Sequence, residues 1–178
     1  EVERLEALMR EMLGFAKTGQ RSAGPIDLGE EIQRTLNFVR PKLEQQRVAV
    51  NLRLPEEPGV VTMDPTRLRQ VLLNLLNNGA EAVGEAGMIE VEVKHVRGQV
   101  ELSIADDGPG IPAEDRERVF VPFFSTKASG TGLGLAVARK FVEEAGGTIA
   151  CEESPMRQGC RFRITLPASS AGAVETAR

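Results

Sequence analysis

With 178 residues, 41% of them hydrophobic and 27% charged, the chain has the size and composition of one ordered domain plus a short appendage. A net charge of −4, no basic tract, and no Trp or Tyr exclude the basic, aromatic footprint of a nucleic-acid binder. No apolar run approaches the length of a membrane span and the first residues carry no signal-peptide pattern, so no membrane contact is expected of this piece.

In chain order, residues 1 to 18 place Val2, Leu5, Leu8, Met9, Met12, Leu13 and Phe15 at helical spacing, which predicts an N-terminal helix with a broad apolar stripe. Residues 19 to 25 are a break and hinge. A second helix is predicted from 27 to about 46, capped by Asp27 and burying Ile32, Leu36, Val39 and Leu43, with a kink at Pro41. Residues 48 to 54 alternate as a strand. Asp64-Pro65 then caps a strong helix to about Val83, apolar at Leu68, Val71, Leu72, Leu75 and Leu76.

Two alternating runs, 89 to 96 and 99 to 105, meet at Arg97-Gly98 and predict a hairpin. Residues 108 to 132 are loop-rich, with one short helix expected from 113 to 119. A further helix runs from 133 to about 145, ended by Gly146-Gly147. Strands at 148 to 152 and 161 to 166 form a second hairpin, and they carry the two cysteines, Cys151 and Cys160. These read as small packing residues of a reducing compartment, with a cross-strand disulfide the other option. Residues 169 to 178 are a small, polar, frayed tail. Hairpins dominate the strand pairing, so the fold class is an α+β two-layer sandwich with a mixed sheet, not a doubly wound parallel one.

Four stretches carry chemistry. Asn74 and Asn78 stand four apart on one helix face. An Asn oxygen there suits Mg²⁺, which prefers hard oxygens and takes substrate phosphates as further ligands; the plainer role is a solvated or capping amide. Asp106 closes a strand before Gly108-Pro109-Gly110. Its carboxylate only accepts hydrogen bonds and suits the exocyclic amine of adenine, although Asp-Asp-Gly is also a common turn. Lys127 offers a flexible point charge for phosphate, or is a surface lysine. Gly130-Thr-Gly-Leu-Gly134 runs into a helix, where free amides and the helix dipole favour an anion.

In this order and spacing the stretches resemble the N box, first glycine box, F box and second glycine box of the catalytic, ATP-binding domain of bacterial sensor histidine kinases. That domain belongs to the wider ATPase group shared with gyrase, a heat-shock chaperone and MutL. The likeness covers about residues 25 to 167. It implies a Bergerat-type fold, a five-stranded mixed sheet backed by about three helices, and a division into the end of a dimerisation helix with hinge (1 to 22), the catalytic domain (23 to 168) and a tail (169 to 178).

The same resemblance implies an ATP and Mg²⁺ site built from Asn74, Asn78, Asp106, Gly108, Gly110, Ile111, Lys127, Gly130, Thr131, Gly132, Leu133 and Gly134. Asn78 would hold the metal, with Asn74 and Lys127 supporting transfer. Gly130, Gly132 and Gly134 would lend amides to phosphate, and residues 110 to 132 would form a mobile lid anchored by Phe120, Phe123 and Phe124. Gly79, where Ala is usual, leaves room beside the metal. Glu81-Ala82 resembles the nitrogen-regulatory subgroup.

An amide at Asn74, where hydrolytic relatives carry a glutamate, cannot take a proton from water, so rapid ATP hydrolysis is not expected. The chain's one histidine, His95, lies in a strand with no acceptor motif around it. The resemblance therefore implies a cytoplasmic kinase domain that transfers the γ-phosphoryl group to a histidine on a dimerisation helix upstream of Glu1. That group would pass on to a response-regulator receiver domain, in a homodimeric parent that is free to carry a membrane anchor elsewhere. Two rival readings are an anti-sigma-type serine kinase and a non-catalytic ATP-binding module.

Overall fold

The computed structural model describes residues 23–127, 130–156 and 158–169. The helix expected over 1 to 18, most of the hinge and nearly all of the tail lie outside the described residues. A five-stranded sheet runs in the order β2 (Ala49–Arg53), β4 (Met88–Val96), β5 (Gln99–Asp106), β7 (Cys160–Pro167), β6 (Thr148–Glu153). β2 and β4 are parallel and every other pair is antiparallel, so the sheet is mixed, as expected.

Three helices back the sheet among the described residues: α1 (Leu28–Gln45), α2 (Pro65–Val83) and α3 (Gly134–Glu144). α1 starts where the Asp27 carboxylate accepts from Glu30 N at 2.9 Å, and it continues through Pro41. α2 starts where Asp64 accepts from the amides of Thr66 and Arg67, with Pro65 supplying no amide of its own. Leu68, Val71, Leu72, Leu75 and Leu76 are buried on α2, which lies between α1 and α3 and rests on β4 and β5. A buried Glu31 on α1 bonded to Arg69 on α2 at 2.7 Å adds a fixed point to that packing.

Two details differ from the sequence expectations. Residues 24–27 and 60–63 form a small antiparallel sheet, β1 (Gly24–Asp27) with β3 (Val60–Met63), tied to the end of β7 by a bridge from Val61 to Ala168. Each strand is four residues long, too short for alternation to stand out, and the first carries Gly24-Pro25, which reads as a break. The single helix expected at 113 to 119 is instead two 3-10 turns, Ala113–Asp115 and Arg118–Phe120. Their bonds run three residues back, as from Asp115 N to Pro112 O, because one turn of α-helix cannot offset its own nucleation.

Candidate functional site

The C-terminal half of α2, the end of β5, the loop after it and the start of α3 enclose a cavity of about 640 Å³. Into it come Asn74, Asn78, Asp106, Gly110, Ile111, Lys127, Gly130, Thr131, Gly132 and Gly134. Residues up to 60 apart in sequence are thus brought together, as Asn74 and Gly134 show.

Asp106 forms the floor. It is 3% exposed, and one carboxylate oxygen accepts from the amides of Gly108 at 3.0 Å and Cys160 at 3.3 Å. Burial pushes this acid above the usual aspartate value, and the two amide bonds pull back against that shift. Gly159 makes the close approach possible. Its φ is +115°, and a Cβ there would lie 1.9 Å from the Asp106 carbonyl oxygen.

Asn74 connects α2 to the glycine turn, donating to Gly134 O at 2.7 Å while its oxygen accepts from Gln70 at 2.8 Å. Asn78, one turn on, presents its oxygen to the Lys127 ammonium at 2.8 Å, and Glu81 receives the same ammonium at 3.0 Å. α3 begins at Gly134 with no side-chain cap, so its first amides and the positive end of its dipole face the cavity. Gly132, with φ +70°, lies against Phe123 and Phe124, where a Cβ would sit 2.5 Å from the Phe123 carbonyl carbon.

Several expected residues are placed differently. Gly108 and Leu133 do not line the cavity: Gly108 passes beneath the Ala82 carbonyl and bonds Asp106, while Leu133 is buried. The Gly130 amide donates to Lys127 O at 3.2 Å. The Cβ direction of Gly79 meets Ile89 at 3.3 Å and then Asp106 Cβ, so the room it leaves is against the sheet and not beside a metal. Phe120 is buried edge-on to Phe162, and Phe124 stacks under Arg118 at 4.4 Å, but Phe123 is 68% exposed with φ +67°, and this residue holds the glycine turn through its amide on Gly132 O instead.

Cys151 and Cys160 are free thiols, both buried, with sulfurs 3.1 Å apart. The hydrogen bond with Cys151, and then burial, push the Cys160 thiol up. His95 is exposed on β4 and donates from Nε2 to the Glu57 carbonyl at 2.7 Å, away from the cavity-lining set.

Several lining residues stand outside the expected set, Cys160, Lys42 and Asn77 among them. Cys160 lines the cavity and supplies a backbone amide, which no side-chain signal announces. Lys42 of α1 lines it too, bonded to Asn77 at 2.8 Å. That contact depends on how α1 packs on α2, which spacing within one helix does not reveal. Asn77 itself stood inside the N-box stretch without being singled out.

Residues 63–170 match the family described as histidine kinase-, DNA gyrase B-, and HSP90-like ATPase. The sensor histidine kinase ZraS of Klebsiella oxytoca is 39% identical over 170 residues, covering 94% of this chain and 36% of that protein. The catalytic domain of the histidine kinase ThkA superposes with a TM-score of 0.76 at 34% identity, over 83% of this chain and 96% of that one. ThkA crystallised in complex with the response regulator TrrA gives 0.79 at 32% identity, over 94% of this chain and 48% of that one. The chain belongs to this ATPase family, and within it to the histidine-kinase type of catalytic domain. It spans about a third of the length of curated relatives such as ZraS.

Proposed function

We propose that this chain is the ATP-binding catalytic domain of a sensor kinase that phosphorylates a histidine on a dimerisation helix and serves a response regulator. What carries the reading is the meeting, in one cavity, of a buried carboxylate floor, an amide-bearing helix start and an ammonium held beside Asn78. Asp106 accepts the adenine amine, which a carboxylate fixed by two backbone donors can do without moving. Lys127 and the first amides of α3 receive the phosphates. Asn74 holds the glycine turn against α2 at the cavity wall.

Among the described residues no group of three His, Cys, Asp or Glu side chains could hold a metal. The side-chain oxygen of Asn78, already bonded to a cation, nevertheless fits Mg²⁺, which needs few protein ligands when phosphates and water complete its shell. Bound there, Mg²⁺ supplies charge neutralisation at the phosphates. The acceptor histidine attacks the γ-phosphorus, the bond to the bridging oxygen breaks, and ADP leaves; the protein's share is positioning and electrostatics. With an amide at Asn74 in place of a carboxylate, water is a poor competitor.

The test is incubation with γ-labelled ATP and a separate acceptor-helix fragment. Label on that fragment, lost in acid and stable in alkali, is the expected result. Acid-stable label would point to serine and to the anti-sigma-type kinase; nucleotide binding with no transfer would leave a non-catalytic ATP module.

A further inference from the structure

We propose that Asn78 and Glu81 together form the protein's half of a divalent-cation seat, and that Lys127 is the counter-ion that holds this seat until nucleotide arrives. The inference rests on the ATP reading above and adds to it Glu81 as a cation ligand and a second task for Lys127. The motivating geometry is the company of one nitrogen. Lys127 Nζ lies 2.8 Å from Asn78 Oδ1, 3.4 Å from the Asn78 carbonyl and 3.0 Å from Glu81 Oε2. Three oxygens thus converge on a single positive centre, which is what a hard divalent cation asks of a protein.

Position reinforces the point. Asn78 and Glu81 are three apart on α2, so both side chains leave the same face of the helix, and both line the cavity. Lys127 reaches them from a segment 49 residues away, so the contact belongs to the folded pocket and not to local chain geometry. The lysine is partly exposed and Glu81 more so, with side-chain exposures of 34% and 52%. An ion pair in that setting is weak. It occupies the seat without locking it.

The ammonium and a divalent cation cannot share these oxygens, because two positive centres on the same ligands repel. When the metal–nucleotide complex binds, Lys127 leaves Asn78 and Glu81 and turns to the phosphates, and the freed oxygens take the cation. Metal and nucleotide binding become coupled through one lysine. Without the metal, nucleotide must draw Lys127 away from Glu81 and leave that carboxylate facing phosphate, like charge against like.

The experiment is calorimetric titration of ADP into the protein and into Glu81→Gln, each with Mg²⁺ and with chelator. In the wild type, Mg²⁺ strengthens ADP binding. In Glu81→Gln that enhancement shrinks by about fivefold or more, and metal-free ADP binds more tightly than in wild type because Lys127 is released. An unchanged Mg²⁺ enhancement in Glu81→Gln overturns the proposal. A second variant, Lys127→Met, is titrated with Mn²⁺ alone and followed by the electron paramagnetic resonance signal of free Mn²⁺. It binds Mn²⁺ several-fold more tightly than wild type if the lysine guards the seat, and equal binding overturns that part. Failure of the wild type to bind ADP at all would count against the ATP reading instead, and the Mn²⁺ comparison still decides the seat.

Discussion

At the floor of the cavity the polar contacts run from one side chain to backbone: Asp106 accepts from the amides of Gly108 and Cys160, and Gly159 fits beneath with no room for a Cβ. At the rim they run between side chains, with Lys127 on Asn78 and Glu81, and Lys42 on Asn77. The Cys160 amide opens a strand and the Gly108 amide lies in the turn just after one, so neither swings as an ammonium group on a four-carbon stem can. The contrast separates two tasks. The floor is set by the core, and under the proposed function it would receive a flat, amine-bearing base without rearranging. The rim is a set of exchangeable ion contacts suited to a charged, metal-bound chain that must enter and leave.

Substitutions can break this comparison from either end. The largest effect is expected at Gly159→Ala, where the new Cβ would collide with the Asp106 backbone at a positive φ. A loss of roughly 3 kcal/mol in denaturant unfolding is predicted, together with loss of nucleotide binding. Next comes Asp106→Ala, which removes a charged acceptor but little packing. ADP affinity should fall about 10- to 100-fold while the protein stays folded by circular dichroism.

Acidity sharpens the same point. Because burial raises the Asp106 value in the folded chain, its contribution to stability is full below the ordinary aspartate value and is lost as pH rises through the raised one. Asp106→Asn should therefore cost no stability at neutral pH and flatten the dependence in that window. Over the same window wild-type ADP affinity should weaken on acidification, as the carboxylate gains its proton, and the pH profile of ADP titrations checks it.

Gly132→Ala tests the rim. Its Cβ would press on Phe123 and Phe124, so ADP affinity should drop about tenfold while unfolding free energy falls by only ~1 kcal/mol, since that turn lies outside the sheet core. The smallest effect is expected at Phe123→Ala. An exposed ring should change stability by no more than ~0.5 kcal/mol. A loss of several kcal/mol would mean the ring is buried in solution after all.

Much of the architecture was legible because each element announces itself locally. Asp27 and Asp64-Pro65 cap helices that bury the predicted leucines and valines, and both hairpins pair as their alternation demands. The candidate site was legible as a set of four ordered motifs, and ten of the twelve residues singled out on them meet at one cavity wall. What escaped was non-local. β1 and β3 owe their pairing to each other and to Ala168, not to their own four residues. Cys160 contributes an amide common to nearly every residue type, and Lys42 enters from a neighbouring helix. Phe123 went the other way. Its apolar type predicted burial, but the turn that places its amide on Gly132 O turns the ring to solvent.

The most direct test of the central claim, a preformed adenine floor under an exchangeable phosphate rim, is a paired titration with ADP and GDP in the presence of Mg²⁺. Both nucleotides offer the rim the same phosphates, and only adenine presents an amine where Asp106 accepts. One ADP site is expected, with GDP bound more weakly by about tenfold or more and the difference abolished in Asp106→Ala. Equal affinities for the two nucleotides in the wild-type chain would contradict it.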